Sequence, residues 1–102
     1  MNKEIFESIK KFLAKVSESY EIQSAYLFSS YSSNNFDESS DIDIAVISSS
    51  FSGDSFRDNV SLGKLTWGID TRIEPIAFTP EEFEESAFGK QIKKRGIEIP
   101  LN

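Results

Sequence analysis

Ser40-Asp41-Ile42-Asp43-Ile44-Ala45-Val46 is the stretch whose reading decides the fold. Ile42, Ile44 and Val46 alternate with Asp41, Asp43 and Ala45, the period of two of a pleated strand. The alternation puts both aspartates on one face, about 7 Å apart from two residues of rise. Like charges that close repel, and strands are depleted in Asp. A bound cation is one reason to keep such a pair. Hard carboxylate oxygens at this spacing suit Mg²⁺, which takes one or two protein carboxylates and fills its shell with water and substrate phosphates. The other reason is an edge strand with one wet face, where Asp discourages edge-to-edge pairing.

The rest of the composition narrows the chemistry. The chain has 102 residues, 38% hydrophobic with nine Phe, which suits one small globular domain over residues 1–102. It has no Cys and no His. Disulfides, thiolate sites, most zinc sites and imidazole acid–base chemistry are therefore excluded. Carboxylates, hydroxyls, Lys, Arg, backbone amides and a hard metal are left. The net charge of −6 argues against direct DNA or RNA binding without a partner. A nucleotide stays compatible, because a divalent ion would supply local positive charge. Residues Met1 to Lys11 carry no apolar run of the signal-peptide kind, and no stretch is long enough to span a membrane. The expected location is the cytoplasm.

Outward from the aspartate strand, Lys3 to Ser19 carries Ile5, Phe6, Ile9, Phe12, Leu13 and Val16 at helical spacing. Ser24 to Phe28 reads as a short buried strand, followed by a polar run from Ser29 to Ser40. Ser48 to Asp54 reads as a loop, and Phe56 to Leu65 as a helix weakened by Gly63. Ile69 to Phe78 reads as a strand in which Pro75 favours an edge. Thr79-Pro80-Glu81-Glu82 is a strong helix start, and Phe83, Phe88 and Ile92 supply the apolar contacts of a helical region interrupted at Gly89. Gly96 ends it after Lys93, Lys94 and Arg95, and Ile97 to Leu101 forms a last short strand. Trp67 and Phe28 are expected in the core. There is no repeat and no linker. The order predicts an α+β domain with one sheet and helices mainly on one face.

Leu27-Phe28-Ser29-Ser30, a polar spacer, Ser40-Asp41-Ile42-Asp43 and a later Arg72-Ile73-Glu74 together resemble the minimal nucleotidyltransferases of the DNA polymerase β superfamily. Their signature is hydrophobic-Gly-Ser, a spacer of roughly ten residues, Asp-hydrophobic-Asp-hydrophobic, and a third carboxylate on a downstream strand. The resemblance covers nearly the whole chain and implies a polymerase β palm-type mixed sheet. It implies two Mg²⁺ ions, with Asp41 and Asp43 as shared ligands and Glu74 completing the second. Asp70 shares the parity of Glu74 and competes for that role; Glu74 is preferred because the family's last acid commonly follows a basic-hydrophobic pair. Ser29 and Ser30 stand where the family's Gly-Ser turn presents amides and a hydroxyl to nucleotide phosphates.

The sequence departs from the pattern at Ser29, where Gly is usual, and at Ser32-Ser33-Asn34, where a basic residue and Gly are common. The implied activity is Mg²⁺-dependent transfer of a nucleoside monophosphate from an NTP to an acceptor. The resemblance also implies an antitoxin-type pairing with a helical HEPN-like protein. The alternatives are a non-catalytic nucleotide- or partner-binding module on the same fold, and an unrelated α+β domain with a Ca²⁺ or structural acidic site.

Overall fold

Two apolar clusters, one on each face of a sheet, organise the chain in a computed structural model, which describes residues 3–28 and 41–101. Helix α1 (Lys3–Val16) buries Ile5, Ile9, Phe12, Leu13 and Val16, the stripe predicted by its spacing. It is followed by β1 (Ile22–Phe28), β2 (Ile42–Ser48), α2 (Ser55–Lys64), β3 (Ile73–Phe78), α3 (Pro80–Glu85), α4 (Ala87–Arg95) and β4 (Ile97–Glu98). The strands form one mixed sheet in the order β3-β2-β1-β4. β1 runs antiparallel to β2 and β4, while β2 and β3 are parallel. Parallel neighbours need a crossover connection, and α2 provides it.

The α+β class and mixed sheet are as expected; the helices are not mainly on one face. Ile42, Ile44 and Val46 of β2 pack with α1 and with Leu62 of α2. Ala45 and Ile47, on the opposite face, pack with Tyr26, Phe78, Phe83 of α3 and Ile92 of α4. The run Ile44-Ala45-Val46-Ile47 is apolar at every position, as a strand covered on both sides must be.

The helix break also differs. It falls at Ser86 rather than at Gly89. Ser86 closes α3 by donating its N–H to the Glu82 carbonyl, and its hydroxyl accepts the Gly89 N–H to start α4. Gly89 lies inside α4 because the helix presses on the backbone of Phe83, where a β-carbon would overlap it. The expected Thr79 start is present as a full capping box with Glu82, and Pro80 sits in the first turn.

Strand β3 is an edge, as Pro75 requires. Its outward positions are closed individually. Pro75 has no N–H, the Ile73 N–H donates to the Asp70 carbonyl, and the Ala77 N–H donates to Asn59 Oδ1 at 2.7 Å. No outward donor on β3 is left to template another strand. Among the described residues, no helix is long and apolar enough to cross a membrane.

Candidate active site

The site residues are placed by strand register. Asp43 is the direct partner of Glu74 across the parallel β2–β3 pair, and Ile42 is the partner of Ile73. Side chains of paired residues point the same way, so Asp43 and Glu74 share a face, and Asp41 joins them from two residues upstream. This is the face of Ala45, Ile47, Ile76 and Phe78, covered farther along by α3 and α4. Helix cover stops short of the carboxylates: Asp41 and Glu74 are exposed and Asp43 is half-buried. The three acids therefore form a patch open to solvent at one end of an otherwise buried face.

Electrostatics report the same convergence. Glu74 is pushed above the usual carboxylate range, first by desolvation, then by the charges of Asp41 and Asp43. Among the described residues, no three acids are already gathered at metal-binding distances. The side chains face one another without closing into a ligand set, as mutually repelling carboxylates do. The donor set is nonetheless the kind a hard divalent ion takes: oxygen only, clustered and half-solvated.

Asp70, the competing acid, is elsewhere. Strand β3 starts at Ile73 rather than Ile69, because residues 66–70 turn back on themselves, with the Ile69 and Asp70 N–H groups donating to the Thr66 carbonyl. Asp70 instead holds Arg72: Oδ2 accepts from Nη2 at 2.7 Å, and Oδ1 accepts from Nε and the backbone N–H, each at 3.0 Å. These bonds, together with one from Ser8 of α1, hold its carboxyl below the usual range. Ser8 belongs to the helix on the other face of the sheet, so Asp70 is turned from the patch.

Ser29 and Ser30, expected to contact phosphate, and Ser32-Ser33-Asn34 lie outside the described residues. Phe28 packs against the core cluster, as expected, and also borders the patch. Phe28 is the antiparallel partner of Asp43, half-buried, with its ring edge-on to Phe88 at 5.7 Å between centroids. No local pattern announces this role, because it depends on the β1–β2 register. Trp67, also expected in the core, is 66% exposed beyond the end of α2.

Residues 7–99 match the family described as Polymerase beta, Nucleotidyltransferase. The chain belongs to that family. The match spans all three carboxylates and supports a transferase reading of this nucleotidyltransferase-type domain. Among solved structures, the domain is similar to a Sulfolobus solfataricus protein assigned as a nucleotidyltransferase. The two share 22% identity with a TM-score of 0.55, over 85% of this chain and 84% of that one. That likeness concerns the fold. No curated protein matches the nucleotidyltransferase domain.

Proposed function

We propose that the domain is a Mg²⁺-dependent nucleotidyltransferase that moves a nucleoside monophosphate from an NTP to an acceptor hydroxyl. The observation that carries the reading is the pairing of Asp43 with Glu74 on a shared, solvent-open face, with Asp41 on the same side. Asp41, Asp43 and Glu74 are the residues that would hold the metal. When bound there, divalent ions supply charge neutralisation at the phosphates and a lowered pKa for the attacking hydroxyl.

The chain's own residues have the remaining tasks. The acceptor oxygen attacks the α-phosphorus, a new P–O ester bond forms, the bond to the bridging oxygen breaks, and pyrophosphate leaves. Glu74, on the same face as the metal-holding aspartates, takes the hydroxyl proton as the general base. By the family resemblance, Ser29 and Ser30 would contribute phosphate contacts. Such a reaction asks mainly for positioning and charge neutralisation.

The pairing with a helical HEPN-like protein, in antitoxin fashion, is part of the same proposal and rests on the family resemblance. Exposed Phe56 and Val60 on α2 supply apolar surface of the kind a protein partner covers. Use of an NTP fits the cytoplasm. Ser29 and Ser32-Ser33-Asn34, with the family's glycine and basic residue missing, favour the second reading of a module that binds without turnover.

The test is label transfer from α-labelled NTP with Mg²⁺ and the candidate partner, comparing wild type with an Asp41→Asn, Asp43→Asn variant. Transfer by wild type and none by the variant is expected. Absence of transfer from both, with nucleotide still bound, would establish the binding module instead.

A further inference from the structure

A groove of about 520 Å³ crosses the free edge of β3, and neither the carboxylate patch nor the fold accounts for it. Its floor is apolar, formed by Ile76, Phe78 and Phe88; Glu85 and Glu82 stand on the α3 side, and Asn59 of α2 closes the other. Phe88 is 46% exposed although its ring packs against Phe78 at 5.9 Å and Phe28 at 5.7 Å. The groove adjoins the patch in two directions. Ile76 follows Glu74 on the same strand face, about 7 Å along. Phe88 touches Phe28, the register partner of Asp43.

The walls restrict the occupant. Among the described residues, no Lys or Arg lines the groove, so an acidic rim faces an aromatic floor uncompensated. Glu82 already accepts from the Thr79 N–H and hydroxyl, which leaves Glu85, among the described residues, as the rim acid with no hydrogen bond or ion pair of its own. A peptide strand cannot add to the edge, because Pro75 and Asn59 close it. The volume suits a small molecule. Acid beside an aromatic face attracts an organic ammonium, by charge and by the ring quadrupole.

We propose that this groove receives the acceptor and that the acceptor is a compact organic cation, an ammonium group on an aromatic or apolar body with its hydroxyl toward Glu74. The inference rests on the transferase reading above and names the substrate class for it. The ammonium lies between Glu85 and the Phe88 ring. The body covers Ile76 and Phe78, and the hydroxyl oxygen is the atom that bonds to the α-phosphorus as pyrophosphate departs and its proton passes to Glu74.

Binding is measured without nucleotide or metal, by NMR titration of the ¹⁵N-labelled full chain. The probe is tyramine, with tyrosol as its neutral analogue and 4-hydroxyphenylacetate as its anionic one. Tyramine is expected to shift the Asn59 side-chain amide and the backbone signals of Ala77, Ser86 and Phe88, tyrosol to do so more weakly, and the anion not at all. Glu85→Gln should weaken tyramine roughly two- to fivefold, the range of an exposed charge pair, and leave tyrosol unchanged. The Asp41→Asn, Asp43→Asn variant should keep the groove shifts. Equal binding of the three probes, indifference to Glu85→Gln, or shifts confined to residues 41–43 and 74 overturns the inference. Label transfer without groove binding overturns it and leaves the transferase reading standing. Groove binding without label transfer upholds the ligand class and removes that reading.

Discussion

Replacing Glu74 by Gln should stabilise the metal-free domain at neutral pH, and the size of the gain follows from the β2–β3 register. Asp43 and Glu74 are direct partners on adjacent strands, which lie about 4.8 Å apart. Two unit charges about 5 Å apart in water repel by roughly 0.8 kcal/mol, and 0.15 M salt about halves that. Asp41 adds a smaller share. Removing the Glu74 charge should therefore gain about 0.5–1 kcal/mol at low salt, seen as a rise of a few degrees in melting temperature for a domain of this size.

The pH dependence has a fixed sign. The folded pKa of Glu74 lies above the reference value of 4.5, so the folded state binds more protons across the interval between them. Wild-type stability then falls as pH rises through that interval, and the penalty is fully present above the folded pKa. Melting curves for wild type and Glu74→Gln with chelator present should coincide near pH 3.5 and separate above the interval. The separation should shrink in high salt. Added Mg²⁺ should raise the wild-type melting temperature more than the variant's. A variant less stable than wild type at neutral pH, or a gap that ignores pH and salt, would refute the convergence of the three carboxylates.

Asp70→Asn should act oppositely, costing about 1–2 kcal/mol at neutral pH by loosening the Arg72 pairing. Because the Asp70 pKa is depressed from 3.8, that stability is present above 3.8 and lost as pH falls through the lower folded value, so denaturant curves of variant and wild type should converge in acid. The same change should leave metal and nucleotide binding intact, since Asp70 is not in the patch; calorimetry checks this. Gly89→Ala should cost about 2–3 kcal/mol, because its β-carbon meets the Phe83 backbone and α3 and α4 must part. Thermal melting reads that loss, and an unchanged melting temperature would contradict the packing described.

The aspartate strand and its neighbours were legible because their signals are local. Alternation at 41–46 gives the strand, the stripe from Ile5 to Val16 gives α1, and Thr79-Pro80 gives the start of α3. What was missed or left to a choice depends on packing and turns that periodicity does not report. Asp70 and Glu74 have the same parity, so periodicity alone cannot choose between them. The choice comes from the turn at Thr66, which delays β3 to Ile73, and from Ser8 on the opposite face. Gly89 was read as a breaker because Gly is a poor helix former, yet close packing on Phe83 is what requires it. Ser86, three residues before Gly89, was the overlooked cap. Cover on both faces is readable in the unbroken apolar run from Ile44 to Ile47, whereas Asp41 and Asp43 mark a wet face only at the start of the strand. The exposure of Trp67 has no signature in its neighbours.

Isothermal titration of an NTP into the domain, with and without Mg²⁺, tests most directly whether Asp41, Asp43 and Glu74 form a metal-dependent nucleotide site. The account predicts ATP or another NTP binding that requires Mg²⁺ and is lost in an Asp41→Asn, Asp43→Asn variant that melts at or above the wild-type temperature without metal. Equal NTP binding with and without Mg²⁺, or undiminished Mg²⁺-dependent binding by the folded variant, would contradict it.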